Sequence, residues 1–481
     1  MLEYRTFLQR IGLIGFTNIL VSLSGLILLP ILTKNLSIDD YGLYVQIIVT
    51  ITLLSTFLLL GLQNSMVRFL PSLPKVEEIQ DGFYSIFFTI AIISFIGSIF
   101  ILLLSDPISE VLFNNNSTII CFLAILIFIE SLNAVLLNYF RSFQQTRLYS
   151  ILFTSKTYLG LILITYFVIT GNGILGVLFG LLISGFITFI VSLSLIIYEI
   201  SFKIPKFTNI REYLVYGLPT IPSNLSLWVI ESSDRYIIGF SLGLAFVGYY
   251  SPGYTLGSML TMLISPMAFL LPPLLSKNYD LDNVEYIKKI LRYSMKYFLL
   301  ISIPAVFGLS ILSIPILLIL STPEIAYQSY LITPFTAMSV LFIGLSSIIS
   351  NVLIFKNKTK IIGTVWTIVA LLNIGLTIIL VHYIGLIGAA AATLISYIFT
   401  FIILTHYSSK YFKIDFDISF IFKSILSSFL MSLIIFFWYP VGILNILTAV
   451  LISAAIYFMI LILLRGITKN EIEFFKNLVK Y

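Results

Sequence analysis

Long apolar runs are the feature of this sequence that most restricts its fold. They recur along all 481 residues, and charged residues make up only 10% of the chain. An average soluble protein has about 25% charged residues, whereas a helix of about 20 apolar residues crosses a bilayer core. The chain therefore lacks the polar surface that a water-soluble globule needs. We expect an all-α integral membrane protein.

Charged residues, glycines, prolines and asparagines divide the chain into fourteen candidate transmembrane spans. Lys and Arg near span ends concentrate on the cytoplasmic side of a membrane. With a cytoplasmic N-terminus, all 27 Lys and Arg residues except Lys34 and Arg235 fall on that side. This predicts an even number of spans in the cell membrane and cytoplasmic N- and C-termini. The spans are 10–33, 41–66, 82–104, 117–139, 148–169, 174–198, 213–241, 245–274, 293–320, 327–354, 361–381, 386–407, 419–438 and 442–464.

Short motifs recur at a nearly constant spacing. Leu36–Tyr44 is similar to Leu242–Tyr250, and Gly173–Gly176 is similar to Gly385–Gly388. This indicates two parallel repeats of six helices each, around a central cleft that opens by alternating access. Two extra helices and an amphipathic cytoplasmic tail follow the repeats. The predicted domains are 1–207 (spans 1–6), 208–413 (spans 7–12) and 414–481 (spans 13 and 14 with the tail).

Span 7 carries an unusual concentration of polar residues. Ionisable side chains inside a bilayer are costly and tend to mark functional sites. Asn224, Glu231, Asp234 and Arg235 follow one face of this helix. Two interpretations remain open: a Glu231–Arg235 pair that only neutralises itself, or a polar wall of the cleft.

Neighbouring residues add a bend and an aromatic stripe to this region. Pro219 and Pro222 interrupt the hydrogen-bond ladder of span 7, which predicts a bend or hinge there. Tyr250 and Tyr254 are four residues apart in span 8 and are therefore predicted to lie on one helix face.

A second polar group lies in the first repeat. Glu130 and Lys156 are at similar depths on adjacent antiparallel spans, which predicts an ion pair. The pair either locks the helical hairpin or forms a protonation or cation site. Arg68 and Arg141 lie nearer the cytoplasmic mouth, where they either anchor the topology or attract an anionic headgroup.

Several classes of function are disfavoured. Cys121 is the only cysteine, and His382 and His406 are isolated, so we expect neither a metal site nor a cofactor. The net charge of +6 arises mainly at cytoplasmic span ends, so we expect no nucleic-acid partner. Short outer connections argue against a membrane glycosyltransferase or polymerase, which is the alternative from a different class.

Five stretches of the chain carry a resemblance to a known family, namely Leu32–Tyr44, Gly217–Pro222, Ser233–Gly239, Val247–Ser251 and Gly385–Thr393. They resemble the polysaccharide-export flippases of the multidrug/oligosaccharidyl-lipid/polysaccharide exporter superfamily, the group of O-antigen-unit transporters. The segment Ser-Asp-Arg followed by Val-Gly-Tyr-Tyr-Ser is the most specific part. At position 34 the family often has Arg, whereas this chain has Lys, which keeps the charge but loses bidentate geometry.

The resemblance implies a fourteen-helix flippase, not an enzyme, that moves a polyprenyl-pyrophosphate-linked glycan from the inner to the outer leaflet. It implies a cationic cavity, membrane lipids as surroundings, and glycosyltransferases and a polysaccharide polymerase as pathway partners of a monomer. Lys34, Arg68, Arg141 and Arg235 become candidate phosphate contacts, Asn224 lines the cavity, and Tyr250 and Tyr254 are available to stack on sugars. Glu130, Lys156, Glu231 and Asp234 become candidate coupling sites for H⁺ or Na⁺.

Two alternatives stay within the same superfamily. A cation-coupled drug or metabolite antiporter would have an acidic, aromatic-rich cavity with few cations. A lipid II flippase would differ only in the headgroup that it carries.

Overall fold

The computed structural model describes residues 2–113, 115–280, 284–412 and 416–466. Within these ranges every regular element is a helix, which confirms the predicted all-α class. The predicted tail helix falls on residues 467–481, outside the described part of the chain. Contacts divide the chain into two compact units, Met1–Tyr249 with Ala370–Gly385, and Tyr250–Val369 with Leu386–Tyr481. The predicted domain boundaries rest on sequence repeats and stay a prediction.

The first unit is built around helix α6 (Ser117–Ser142). This helix packs against α2 (Ile38–Leu58), α4 (Val76–Leu103) and α8 (Gly173–Ile200). α7 packs against α1 and α8, and α10 packs against α2. The helices are α1 (Leu2–Asn35), α2 (Ile38–Leu58), α3 (Leu62–Phe69), α4 (Val76–Leu103), α5 (Ser105–Leu112), α6 (Ser117–Ser142), α7 (Thr146–Ile169), α8 (Gly173–Ile200), α9 (Ile210–Gly217) and α10 (Ile221–Leu242).

The second unit is built around two long helices, α13 and α15, that pack on each other; α15 also contacts α12 and α17, and α13 contacts α18 and α19. The chain enters it through α11 (Leu244–Ser258), whose first residues belong to the first unit. The other helices are α12 (Ile264–Asp280), α13 (Val284–Leu320), α14 (Pro323–Ser329), α15 (Ile332–Phe355), α16 (Thr359–Ile384), α17 (Leu386–Ser409), α18 (Ile418–Trp438) and α19 (Ile443–Leu463). The part of α16 from Ala370 onward belongs to the first unit.

Twelve helices of the described residues are long and apolar enough to cross a membrane. They coincide with twelve of the fourteen predicted spans. The other two predicted spans, 213–241 and 245–274, are interrupted by short 3-10 segments at Leu218–Thr220 and Met259–Leu263. α10 also carries three charged residues, and α11 and α12 have only 15 and 17 residues. The count of fourteen therefore stays a prediction.

Two glycines from the similar motifs Leu36–Tyr44 and Leu242–Tyr250 allow a close approach in the first unit. A Cβ atom on Gly42 would lie 2.0 Å from the carbonyl oxygen of Leu244. A Cβ atom on Gly248 would lie 2.7 Å from the carbonyl oxygen of Ile38. Small residues of this kind let membrane helices pack backbone to backbone. The contact is reciprocal, and it brings the start of α2 against the start of α11.

A second close approach joins two helix interruptions. α2 ends at Leu58, and Gly61 precedes α3 with a φ of +70°. A Cβ atom on Gly61 would lie 2.1 Å from the carbonyl oxygen of Gly217, the last residue of α9. Asn64 Nδ2 donates to Thr220 Oγ1 at 3.0 Å across the same contact. The break between α2 and α3 therefore lies directly against the break between α9 and α10.

Candidate functional site

A buried ion pair lies in the middle of α10. Asp234 is 0% exposed and Arg235 is 7% exposed. Arg235 Nη1 donates to Asp234 Oδ1 at 2.8 Å, and the same guanidinium donates to the carbonyl oxygen of Glu231. A carboxylate buried this deeply is tolerated only when it is paired and hydrogen-bonded. Both residues were predicted from the sequence as site residues. In the structure, Asp234 and Arg235 form a salt bridge.

Polar side chains of α2 face α10 and extend this site. Thr50 Oγ1 and the Tyr236 hydroxyl are 2.7 Å apart, and Trp228 Nε1 donates to Thr52 Oγ1 at 3.2 Å. Because neutral polar residues are common in membrane helices, these four residues could not be singled out from the sequence. Thr50 and Thr52 are two residues apart on α2, and Trp228 and Tyr236 are eight apart on α10. These spacings predict contacts only when the two helices are known to be neighbours.

Gln46 is a further residue that sequence reasoning missed. Its side chain is 1% exposed, and neither Oε1 nor Nε2 has a hydrogen-bond partner among the described residues. It lies on α2 facing Gly239 of α10, since a Cβ atom on Gly239 would be 3.8 Å from Gln46 Oε1. A buried amide without partners costs about 1–3 kcal/mol. Such a group is a candidate contact for a polar ligand.

The second predicted pair is present between α6 and α7. Lys156 Nζ donates to Glu130 Oε2, which confirms the predicted ion pair. The side chains are 19% and 23% exposed. Arg141 lines the same cavity, so the structure brings three of the predicted site residues together. Whether the pair couples transport to an ion stays a prediction.

An apolar cavity of about 430 Å³ lies within the second unit. Its walls come from α13, α18, α19 and the 3-10 segment Met259–Leu263. Its volume falls within the range of small-molecule sites, about 300–1,000 Å³. Two lining residues are joined by a hydrogen bond, since the Tyr457 hydroxyl donates to the carbonyl oxygen of Leu300 at 3.0 Å. Lining residues include Leu260, Leu263, Ala305, Gly308, Met431 and Ala454.

The other predicted site residues lie at several depths. Tyr250 is fully buried and its ring centroid is 5.8 Å from that of Tyr254, which is half-buried. In this structure the Tyr250 ring is therefore covered by protein, and sugar stacking stays a prediction. Exposed residues are Lys34 at the end of α1, Arg68 at the end of α3, Pro219 in the 3-10 segment, Pro222 in the first turn of α10, and Glu231; Asn224 is half-buried.

The hinge interpretation of Pro219 and Pro222 has a structural counterpart in the backbone. α9 ends at Gly217, a 3-10 segment covers Leu218–Thr220, and α10 begins at Ile221. The helix is therefore interrupted at Pro219, and Pro222 lies in the first turn after the interruption; movement about this point stays a prediction. Among the residues that the structure describes, no three His, Cys, Asp or Glu side chains gather as a metal ion requires.

Comparisons with known proteins can now be set beside this geometry. The sequence model of a family described as "Polysaccharide biosynthesis protein" matches residues 7–279. A curated protein from Haloferax volcanii, the "Probable low-salt glycan biosynthesis flippase Agl15", is 26% identical over 284 residues. That match covers 58% of this chain, and the chain spans only 59% of the length of this relative.

Solved structures extend the likeness to nearly the whole chain. The lipid II flippase MurJ in an inward closed conformation matches with a TM-score of 0.75 and 21% identity, over 94% of this chain and 98% of that one. A multidrug resistance MATE family transporter of the MOP superfamily, in an inward-facing conformation, matches with a TM-score of 0.66 and 17% identity, over 81% and 95% of the two chains. At these identities the likeness establishes a shared fold.

Proposed function

We propose that this chain, which belongs to the polysaccharide biosynthesis protein family, moves a polyprenyl-pyrophosphate-linked oligosaccharide from the inner to the outer leaflet of the cell membrane. Family membership confirms the resemblance found in the sequence. The matched Haloferax volcanii protein is named as a probable glycan biosynthesis flippase, which supports transport of a glycan and a role other than that of an enzyme. Assembly of a surface polysaccharide is the process that such transport would serve.

The observation that carries this proposal is the presence of two opposite chemistries in one membrane protein. The first unit has a cavity lined by Arg141, Lys156 and Glu130, and the second unit has an almost wholly apolar cavity. A lipid-linked glycan needs both, because its pyrophosphate and sugars require hydrogen bonds and cations while its polyprenyl tail requires apolar surface. Neither a purely polar nor a purely apolar substrate needs the pair of cavities.

The mechanism proposed for this transport is alternating access, as in other transporters built from repeated helical bundles. In this proposal Arg235, Lys34 and Arg68 contact the headgroup along its path, while Glu231 and Asp234 are the candidate acceptors of H⁺ or Na⁺. Cytoplasmic termini, a monomeric state and functional partnership with glycosyltransferases and a polymerase are further parts of the proposal. Each follows from the charge distribution or from the family resemblance.

The rival transport functions differ in the charge of the cavity that they need. A drug-cation antiporter requires an acidic site, whereas the cavity around Lys156 contains two cations and one carboxylate. This excess of positive charge favours an anionic headgroup. A lipid II flippase would share that preference, so headgroup selection has to be measured.

The direct test is transport by the full chain in sealed lipid vesicles. A fluorescent polyprenyl-pyrophosphate-linked oligosaccharide is placed in both leaflets, and the fraction that an impermeant quencher reaches is followed over time. The expected result is faster exchange than in protein-free vesicles, and preference for the oligosaccharide over lipid II. Equal rates in the two kinds of vesicle would overturn the proposed function.

The apolar cavity of the second unit yields a prediction about carrier length. Gly308 lines this cavity and has nothing within 4 Å of its Cβ position, so the Cβ atom of Gly308→Phe meets no neighbour and its ring can extend into the cavity. If the polyprenyl chain uses the cavity, loss of contact with two CH₂ groups costs about 1.6 kcal/mol, or about tenfold in transport rate. The measurement is the vesicle exchange rate for a long polyprenyl carrier and for a short one. We expect the loss with the long carrier only.

Gly363→Phe is the matched control. Gly363 lies on α16, also has nothing within 4 Å of its Cβ position, and is not part of the cavity wall. This variant should transport both carriers at the original rate. Equal losses for both carriers in Gly308→Phe would show that the cavity does not hold the chain.

A further inference from the structure

We propose that the cavity between α6 and α7 binds the pyrophosphate of the lipid-linked glycan, with Lys156 and Arg141 as its ligands and Glu130 as a counterion that competes for Lys156. This rests on the proposed function and assigns a specific place to the headgroup. It also gives the Glu130–Lys156 pair a role different from the ion coupling that the sequence indicated.

The shape of the cavity fits a phosphate-linked sugar. It has a volume of about 250 Å³ and its walls come only from α6 and α7, within the first unit. Tyr149 and Phe153 form one wall, with ring centroids 5.7 Å apart and planes within 20° of each other. Asn138 lies on the opposite helix, where its Nδ2 donates to the carbonyl oxygen of Ala134 and its amide oxygen remains an acceptor. Aromatic faces and amide groups are the usual contacts of sugars.

The charges of the cavity fit a doubly charged pyrophosphate once Glu130 is displaced. Lys156 and Glu130 neutralise each other in the structure. Arg141 is exposed in the last turn of α6 and has no ion pair within the described ranges of the chain. Guanidinium groups bind phosphate oxygens with two parallel hydrogen bonds, and an ammonium group adds a compact charge. Arg141 is thus available at once, and Lys156 becomes available when its bond to Glu130 opens.

The Glu130 carboxylate can break its bond to Lys156 while it stays beside α8. Its Oε2 accepts from Lys156, while its Oε1 faces α8, where a Cβ atom on Gly185 would lie 3.2 Å away. Glycine at 185 therefore leaves room for the carboxylate beside α8. A counterion that stays close to Lys156 lowers the affinity for the pyrophosphate. Because a transporter must release its substrate as well as bind it, this competition favours turnover.

A purely structural ion pair would behave differently when its two members are changed. If the pair only locks α6 to α7, neutralising either residue leaves the other charge unpaired, and both changes should weaken any binding that depends on the local fold. Competition for Lys156 predicts opposite signs instead. Glu130→Gln frees Lys156 and tightens binding, whereas Lys156→Gln removes a ligand and weakens binding.

The experiment measures binding of inorganic pyrophosphate and of geranylgeranyl pyrophosphate to the full chain in lipid nanodiscs. We expect about tenfold tighter binding of both probes by Glu130→Gln, and about ten- to hundredfold weaker binding by Lys156→Gln and by Arg141→Gln. Arg147→Gln and Lys203→Gln are matched controls, because they remove the same charges from the same unit outside the cavity. The controls should bind as the original chain does.

A melting curve accompanies each variant. If Glu130→Gln does not fold, Glu130→Gln combined with Lys156→Gln removes both charges together, and weak binding by this stable double variant is the expected result. Unchanged or weaker binding by folded Glu130→Gln overturns the proposal, as does original affinity in Lys156→Gln or in the double variant. Binding of free pyrophosphate that the prenyl form does not compete with overturns the assignment to a lipid-linked ligand.

Transport by the same variants separates this inference from the proposed function. If the original chain exchanges lipid-linked oligosaccharide and Lys156→Gln exchanges it equally well, the cavity assignment fails and the function stands. If the original chain exchanges none while the pyrophosphate pattern above is found, the function fails and the anion site stands.

Discussion

Arg235→Ala is expected to lower the free energy of unfolding by about 3–5 kcal/mol, because it removes the guanidinium that forms a salt bridge with a fully buried carboxylate. Asp234 is 0% exposed and its Oδ1 accepts from Arg235 Nη1 at 2.8 Å. The guanidinium also satisfies the carbonyl oxygen of Glu231, so the same change removes a second hydrogen bond. Resistance to heat and to proteolysis in nanodiscs measures this loss. Headgroup transport should fall with it.

Two further variants separate stability from transport. Asp234→Asn combined with Arg235→Gln removes both charges together and leaves two amide side chains that can still hydrogen-bond, so it should recover most of the stability. If Arg235 also contacts the headgroup, this folded double variant stays defective in vesicle exchange. Arg211→Ala is the matched control, since Arg211 is exposed on α9 in the same unit. A melting temperature of Arg235→Ala equal to that of Arg211→Ala would contradict the expectation.

The helical fold was largely predictable, because backbone groups inside a bilayer must satisfy their own hydrogen bonds and apolar runs therefore become helices. The interruptions were only partly predictable. Pro219 and Pro222 indicated the break near Gly217, since proline cannot continue the hydrogen-bond ladder. The 3-10 segment Met259–Leu263 contains no proline or glycine, so its position depends on tertiary packing that one sequence does not reveal.

The candidate site likewise contains residues that could be predicted from the sequence and residues that could not. Glu130, Lys156, Asp234 and Arg235 were found because a charge is rare within an apolar run. Helix spacing indicated Glu231 as a partner of Arg235, and the structure adds Asp234, whose Oδ1 accepts from Arg235 Nη1, while the carbonyl oxygen of Glu231 accepts from the same guanidinium. Gln46 was not singled out, because its amide carries no charge and its neighbour Gly239 is distant in sequence.

Gly61→Ala is expected to lower the free energy of unfolding by about 2–5 kcal/mol, because both the backbone conformation and the neighbouring atoms at Gly61 oppose a Cβ atom. Two effects add. Its φ of +70° is strained for any residue with a Cβ atom, and that atom would lie 2.1 Å from the carbonyl oxygen of Gly217 and 2.5 Å from Thr220 Oγ1. Since backbone atoms cannot rotate away, the breaks on either side of the contact must separate. The measurement is the melting temperature of the full chain in nanodiscs.

Gly171→Ala separates the cost of backbone strain from the cost of a steric clash at the added Cβ atom. Gly171 has a φ of +85° and nothing within 4 Å of its Cβ position, so this variant carries the strain alone and should lose about 1 kcal/mol. Gly217→Ala carries mainly the packing term, since its φ is −75° while its Cβ position is 2.9 Å from the carbonyl carbon of Gly61. If the close contact is what holds the two breaks together, Gly61→Ala must lose more stability than Gly171→Ala. Equal losses would show that the break between α2 and α3 tolerates separation from the break between α9 and α10, and that the contact does not fix their relative position.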